Sequence, residues 1–221
     1  MADIRIADLY DLEHTLAAEY LSGFEYPWEA LEGIKNEILR IGAELSTDEY
    51  DHPEENIWIA KDAVRYPNNY IKGPCIIGHE TEIRPGAFIR GSALIGDGCV
   101  IGNSTEVKNA IIFDGVQVPH FNYVGDSIMG YKSHMGAGSV TSNVKGDKKL
   151  VVIKGDDISI ETGRKKVGAM VGDFVDVGCN SVLNPGTVLG RGTRVYPLSC
   201  VRGVIPAGMI YKNKDEICKI Q

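Results

Sequence analysis

The chain lacks the features that would tie it to a membrane, an oxidising compartment or nucleic acid. No apolar run approaches the roughly 20 residues needed to span a bilayer. The opening MADIRIADLY has no charged-then-apolar signal pattern. The five cysteines, Cys75, Cys99, Cys179, Cys200 and Cys218, are odd in number, lie far apart and form no CxxC pair. That argues against a disulfide framework or a zinc ribbon and favours a reducing cytoplasm. Aromatic residues make up only 8% of the chain and none stud a basic stripe, so nucleic acid is not an expected partner.

What is present is unevenly placed. Residues 1–56 carry 15 acidic and 3 basic side chains, or −12, so the remainder of a chain of net charge −7 carries +5. A locally positive region of this kind suits a small anionic ligand.

A repeat decides the fold. Aliphatic residues recur on a six-residue grid at Ile59, Ile71, Ile77, Ile83, Ile89, Ile95, Ile101 and Val107. The step shortens to five at Ile112 and again at Met129, and the series resumes from Val171 to Val201. Small residues follow four places on, as at Cys75, Thr81, Ala87, Ala93 and Cys99. A period of six fits neither a helix nor simple strand alternation. Three hexads instead make a triangular coil of 18 residues, with aliphatic and small side chains inward and glycine easing the corners. Stacked at about 4.8 Å, roughly seven coils make a prism some 34 Å tall. The expected fold is mainly β: a parallel β-helix over residues 57–211. General crossover rules would make it right-handed; likeness to known hexapeptide proteins makes it left-handed.

Two stretches break the pattern. Leu9, Leu12, Leu16 and Tyr20 space one apolar helical face, and Leu31, Ile34, Ile38, Ile41 and Leu45 a second. Residues 1–56 are therefore expected to form a helical cap over the open end of the solenoid, with Phe24, Tyr26 and Trp28 as core. Residues 144–167 alternate around Gly155-Asp156-Asp157 and predict a β-hairpin arm leaving the prism. Residues 212–221 are expected to be a tail.

Of five histidines, His14 and His52 lie in the acidic segment and are expected at the surface, and His79 at a solvated corner. His120 also falls at a corner. Counting coils stacks Asn103, His120 and Ala137 in one column, beside a column of Arg84, Gly102 and Pro119. Arg84 then lies two coils, or about 10 Å, below the imidazole. An imidazole, an arginine and a glycine-lined strip suit a base acting on an anionic substrate, although a solvated corner histidine has the same spacing.

The runs Ile83 to Ala87, Gly102 to Lys108, Pro119 to Asp126 and Met135 to Asn143 occur in an order and spacing that resemble a known family. It is the acetyltransferase domain of the bifunctional UDP-N-acetylglucosamine pyrophosphorylase/glucosamine-1-phosphate N-acetyltransferase. The similarity covers roughly residues 71–211, and its most specific part is His-x-x-Tyr-x-Gly-Asp followed by Gly-Ala-Gly and Asn. The resemblance implies an N-acetyltransferase using acetyl-CoA as acyl donor and a homotrimer with sites between subunits. By resemblance His120 is the general base, Ala137 an oxyanion and coenzyme contact through its N–H, and Asn143 a substrate-site residue. Arg84, Lys108 and Tyr123 hold the sugar phosphate. A further substrate lysine maps to Lys166, or else to Lys148 or Lys149. Cys179 and Leu198 line the coenzyme's pantetheine, and Lys212 lies near its phosphate. His134 replaces a family asparagine, the arm is an insertion, and no segment matches the family's nucleotidyltransferase domain.

Two other readings use the same solenoid. A zinc enzyme of the γ-carbonic-anhydrase type needs three histidine ligands, two of them close together, and this sequence has no His-x4-His pair, so no metal site is expected. A non-catalytic sugar-nucleotide-binding or scaffold module would keep the shape without the chemistry.

Overall fold

Inward aliphatic side chains at the sixth-residue positions build a triangular prism. A computed structural model describes residues 4–220 of the chain. On the first face, eight parallel strands stack from Val64–Arg65 to Met209–Asn213. On the second, seven stack from Tyr70–Ile71 to Cys200–Val201, and on the third, eight from Ile57–Ala60 to Val204–Ile205. The result is a left-handed parallel β-helix. The inward stack is dry: Ile77, Ile95, Ile112, Met129, Val171 and Leu189 are fully buried. Most small inward polar residues are satisfied along the axis, Ser133 Oγ being an exception. Thr81 donates to Gly96 O (2.7 Å) and accepts from Cys99 N–H (2.9 Å), so its buried hydroxyl is paired on both sides.

The two five-residue steps are absorbed without breaking a strand. Glu106–Ile112 and Tyr123–Met129 run continuously from the second face to the third, in register from Glu106/Tyr123 to Ile112/Met129. Asn109 and Asp126 turn the corner in left-handed conformation, which Asn and Asp tolerate better than other side chains.

The helical segment lies along the prism and does not cap its end. The outward side chains of the third face are apolar too, and Ile76, Leu94, Ile111, Ile128, Met170 and Val188 are all buried. Each is stabilised by about 1.5–3 kcal/mol over exposure, so a bare third face would be unfavourable. Helix Ile34–Glu44 packs on this face, and Gly42 lets it close on Trp58, whose ring would sit 2.6 Å from an added Cβ. Antiparallel strands close the edges at the ends: Tyr50–Glu54 pairs with Ile57–Ala60, and Glu216–Lys219 pairs with Met209–Asn213. Residues 212–220 are thus largely strand and turn, where a tail was expected; residue 221 lies outside the described residues.

The expected first helix is also interrupted. Its residues form short helical turns at Ile6–Leu9, Leu12–His14 and Ala18–Ser22, and Leu16 is exposed. Tethers to the solenoid explain the breaks. Asp11 N–H donates to Asp173 Oδ2 (2.7 Å), while Asp173 N–H donates to Leu9 O and Asp114 N–H to His14 O. The Asp173 carboxylate also takes Tyr131 N–H and Arg191 Nη2, yet burial still raises its pKa above the usual carboxylate value. His14, expected at the surface, is half-buried and stacks on Tyr131 at 3.5 Å. Trp28 is buried and stacked by Tyr26, as core.

The arm is a hairpin of Val152–Lys154 and Ser159–Glu161, but it lies down on the prism where projection was expected. Val151 and Ile153 are fully buried. The seat is made by glycines with positive φ: a Cβ on Gly186 would meet Val151 at 2.8 Å, and one on Gly203 would meet Lys154 O at 2.6 Å.

Candidate functional site

Corner amides on this prism face outward and need partners. At the corner between the third and first faces, aspartates of one coil accept from the coil below: His79 N–H donates to Asp97 Oδ1 (2.7 Å) and Asp97 N–H to Asp114 Oδ1 (2.8 Å). At the corner between the first and second faces, the column is Asn103, His120, Ala137 and Cys179. None of these four is an aspartate, and the Ala137 N–H has no acceptor among the described residues.

His120 is exposed on this corner and held by its neighbours rather than by its ring. Its N–H donates to Asn122 Oδ1 (3.0 Å), and the buried Asn122 amide donates upward to Gly136 O (2.8 Å) and Ser139 O (3.1 Å). Asn122 thus fixes the His120 turn against the coil that carries Ala137. Arg84 stands two rungs below, through Gly102 and Pro119. Its Nε pairs with Glu82 (3.0 Å). Arg84, His120, His134, Ala137 and Cys179 line one depression of about 450 Å³. His134 Nδ1 sits 2.8 Å from Asp176 Oδ1, which fixes its ring.

The other candidate side chains gather elsewhere. Lys108, Tyr123 and Asn143 converge at the corner between the second and third faces, around the buried Asp126. Lys108 Nζ lies 3.1 Å from Asp126 Oδ2, and Asn143 Nδ2 donates to Asp126 Oδ2 (2.5 Å) and to Tyr123 OH (3.0 Å). Asn109 Nδ2 completes the shell at 2.9 Å. Burial, and then the charge of Asp126, raise the Tyr123 pKa. Lys166 lines a shallow depression with Asn109, Asp126 and Arg164 at this same corner. Leu198 and Lys212 line a third cavity of about 640 Å³ near the last coils, where Lys212 pairs with Glu216. One chain therefore carries three separate clusters of the candidate side chains.

Two organising residues were missed from sequence. Asn122 and Asp126 both lie inside the His-x-x-Tyr-x-Gly-Asp segment, and their signal was position: polar side chains at or beside corners, where backbone groups need partners.

Cysteine placement gives a direct check on these assignments. Cys75 and Cys99 are fully buried, and burial pushes the Cys75 thiol well up and the Cys99 thiol up to about 12. Cys179 is exposed in the His120 depression. Mass spectrometry after brief alkylation of the native chain should find Cys179 modified and Cys75 and Cys99 intact until unfolding. Early modification of either buried thiol would contradict the inward register.

Comparison with known proteins matches the same coils. Residues 71–205 match the family model described as the GMPPB C-terminal domain. The chain is 35% identical over 163 residues to the bifunctional sugar-1-phosphate nucleotidylyltransferase/acetyltransferase of Sulfurisphaera tokodaii, covering 66% of this chain and 41% of that protein. It is 30% identical over 201 residues to the bifunctional protein GlmU of Methanococcus maripaludis, covering 90% of this chain and 48% of the relative. The chain thus spans less than half the length of these curated relatives. Among solved structures it is similar to the acetyltransferase domain of PglB from Neisseria gonorrhoeae in complex with acetyl coenzyme A. That likeness has 15% identity, covers 85% of this chain and 67% of the other, and has a TM-score of 0.39. With well over half of its residues matched, the chain belongs to the GMPPB C-terminal domain family and resembles the C-terminal part of GlmU-like proteins.

Proposed function

We propose that the chain transfers an acetyl group from acetyl-CoA to the amine of an amino-sugar phosphate such as glucosamine-1-phosphate. The observation that carries this reading is the meeting of His120, Arg84 and the open Ala137 amide in one depression. The name of the Sulfurisphaera tokodaii relative, which pairs sugar-1-phosphate nucleotidylyl transfer with acetyl transfer, supports it.

In this reading His120 takes a proton from the attacking amine as the nitrogen–carbon bond forms. Charge then develops on the thioester oxygen, where the Ala137 N–H stabilises it, and the carbon–sulfur bond breaks as the His120 imidazolium returns its proton to the departing sulfur, releasing the CoA thiol. Positioning and the oxyanion contact supply most of the acceleration, and the base adds roughly 10²–10⁴-fold. Arg84 and His134 flank the acceptor. Cys179, Leu198 and Lys212 would line the coenzyme's course, with Lys212 near a phosphate.

Lys108, Tyr123 and Asn143 sit one face away from His120, and their inward tie to Asp126 holds them as a preformed polar set. They would hold the sugar phosphate bound at the His120 corner of a neighbouring copy in a cyclic homotrimer. Mixing tests the shared site. His120→Ala and Lys108→Ala variants should each be inactive alone. Co-refolded one to one, they should recover about a quarter of wild-type activity, the statistical share of sites with both residues intact. No recovery from a trimer confirmed as mixed by light scattering and mass spectrometry would sink the shared site.

A further inference from the structure

The arm is the feature that the proposed reaction leaves unused, and it brings a cation to a specific place. The 640 Å³ cavity near the last coils is lined by Lys154 of the arm, by Arg202 and by Lys212 and Lys214 of the terminal hairpin, with Asp156 as its one carboxylate. Lys212 is already paired with Glu216, which offsets much of its charge. Lys154, Arg202 and Lys214 have no ion pair among the described residues. A second cavity of about 620 Å³ shares Lys154, Arg202 and Gly203 with the first, so these two cations stand between adjoining hollows. Lys145 lines the second, with Asp147 3.4 Å from its Nζ.

The placement is built by backbone contact. Gly203, in left-handed conformation, lets Lys154 O approach to within 2.6 Å of where a Cβ would stand, and this sets the arm strand beside Arg202. An unpaired lysine and arginine lining the same concave, partly apolar seat form a site for a phosphate-bearing ligand. Leu198 and Lys212 of the same cavity are the residues already assigned to the coenzyme.

We propose that the inserted arm is a coenzyme clamp: Lys154, with Arg202, binds the phosphates of the CoA nucleotide. This rests on the acyltransferase reading, and it assigns to the insertion a binding role that the hexad repeat alone cannot supply. The arm then raises affinity for the acyl donor without touching the acceptor.

Calorimetric titration of CoA tests this without requiring turnover. Wild type should bind CoA, Lys154→Ala should weaken binding about 10-fold, Lys154→Arg should restore most of it, and Lys154→Ala/Arg202→Ala should weaken it further. The losses should shrink at high salt. Both side chains are exposed, so folding of the variants is checked simply by matching unfolding temperatures. Unchanged CoA affinity in the double variant would overturn the clamp while leaving the acyltransferase reading in place. A wild-type chain that binds no CoA would reject both.

Discussion

Replacing His120 with alanine should lower acetyl transfer by at least about 10²-fold, with little change in folding stability. The imidazole is solvent-exposed on its corner, and the turn beneath it is fixed through the backbone N–H to Asn122, which alanine keeps. Surface substitutions without structural ties usually shift stability by no more than about 0.5 kcal/mol, so a loss of rate cannot be charged to unfolding. The loss should fall on kcat, because the base acts as the amine attacks, and the KM for acetyl-CoA should move little. Equal rates in the two proteins would reject His120 as the base.

Gly102→Ala should be among the most destabilising single changes in the chain. An added Cβ would lie 1.6 Å from Pro119 O and 2.0 Å from Pro119 C. The clash is with the backbone of the next coil, which cannot swing aside as a long side chain would. Overpacking ordinarily costs about 1–3 kcal/mol, and a backbone contact this close belongs at or beyond the upper end. For a chain of this size each kcal/mol lowers Tm by roughly 2–4 °C, so a fall on the order of 10 °C is expected by calorimetry. Gly146 is the control: an added Cβ there meets nothing within 4 Å, and its φ is not in the left-handed region. Gly146→Ala should be neutral or slightly stabilising. A Gly102→Ala Tm within about 2 °C of wild type would contradict the close approach of Pro119.

The same glycine shows why the solenoid was legible in the sequence. Hexad spacing fixes which residue lies above which, so counting from Ile83, Ile101 and Val118 places Arg84, Gly102 and Pro119 in one column, and the strand register agrees. Counting also stacked Ala137 over His120, where the hydrogen bond from Gly138 N–H to His120 O now puts it. These inferences need only local periodicity. The seat of the helices needed a second, longer period. Ile76, Leu94, Ile111, Ile128 and Met170 sit outward once per coil, turning the third-face strands into continuous apolar triplets such as Cys75-Ile76-Ile77. Strands apolar on both sides are buried on both sides, and that signal would have sent the amphipathic segment to the flank and left the end to other strands.

The arm and the tail were harder for a different reason. Alternation in Val151 to Lys154 identifies a strand, but the surface it covers depends on Gly186 and Gly203, which are distant in sequence. The antiparallel return of Glu216–Lys219 likewise depends on the free edge of Met209–Asn213 and carries no hexad signature. At the candidate site, His120, Arg84 and Ala137 could be joined by counting. The gathering of Lys108, Tyr123 and Asn143 around Asp126 could not, because it turns on side-chain direction at a corner.

The acetyl-transfer assignment itself is tested most directly by following CoA thiol release from acetyl-CoA across a panel of amino sugars and their 1-phosphates. The wild-type chain should turn over with an amino-sugar phosphate, more weakly with the unphosphorylated sugar, and at background with the N-acetylated product. Thiol release that stays at background with every amine in the panel, from protein shown to be folded and to bind CoA, would contradict it.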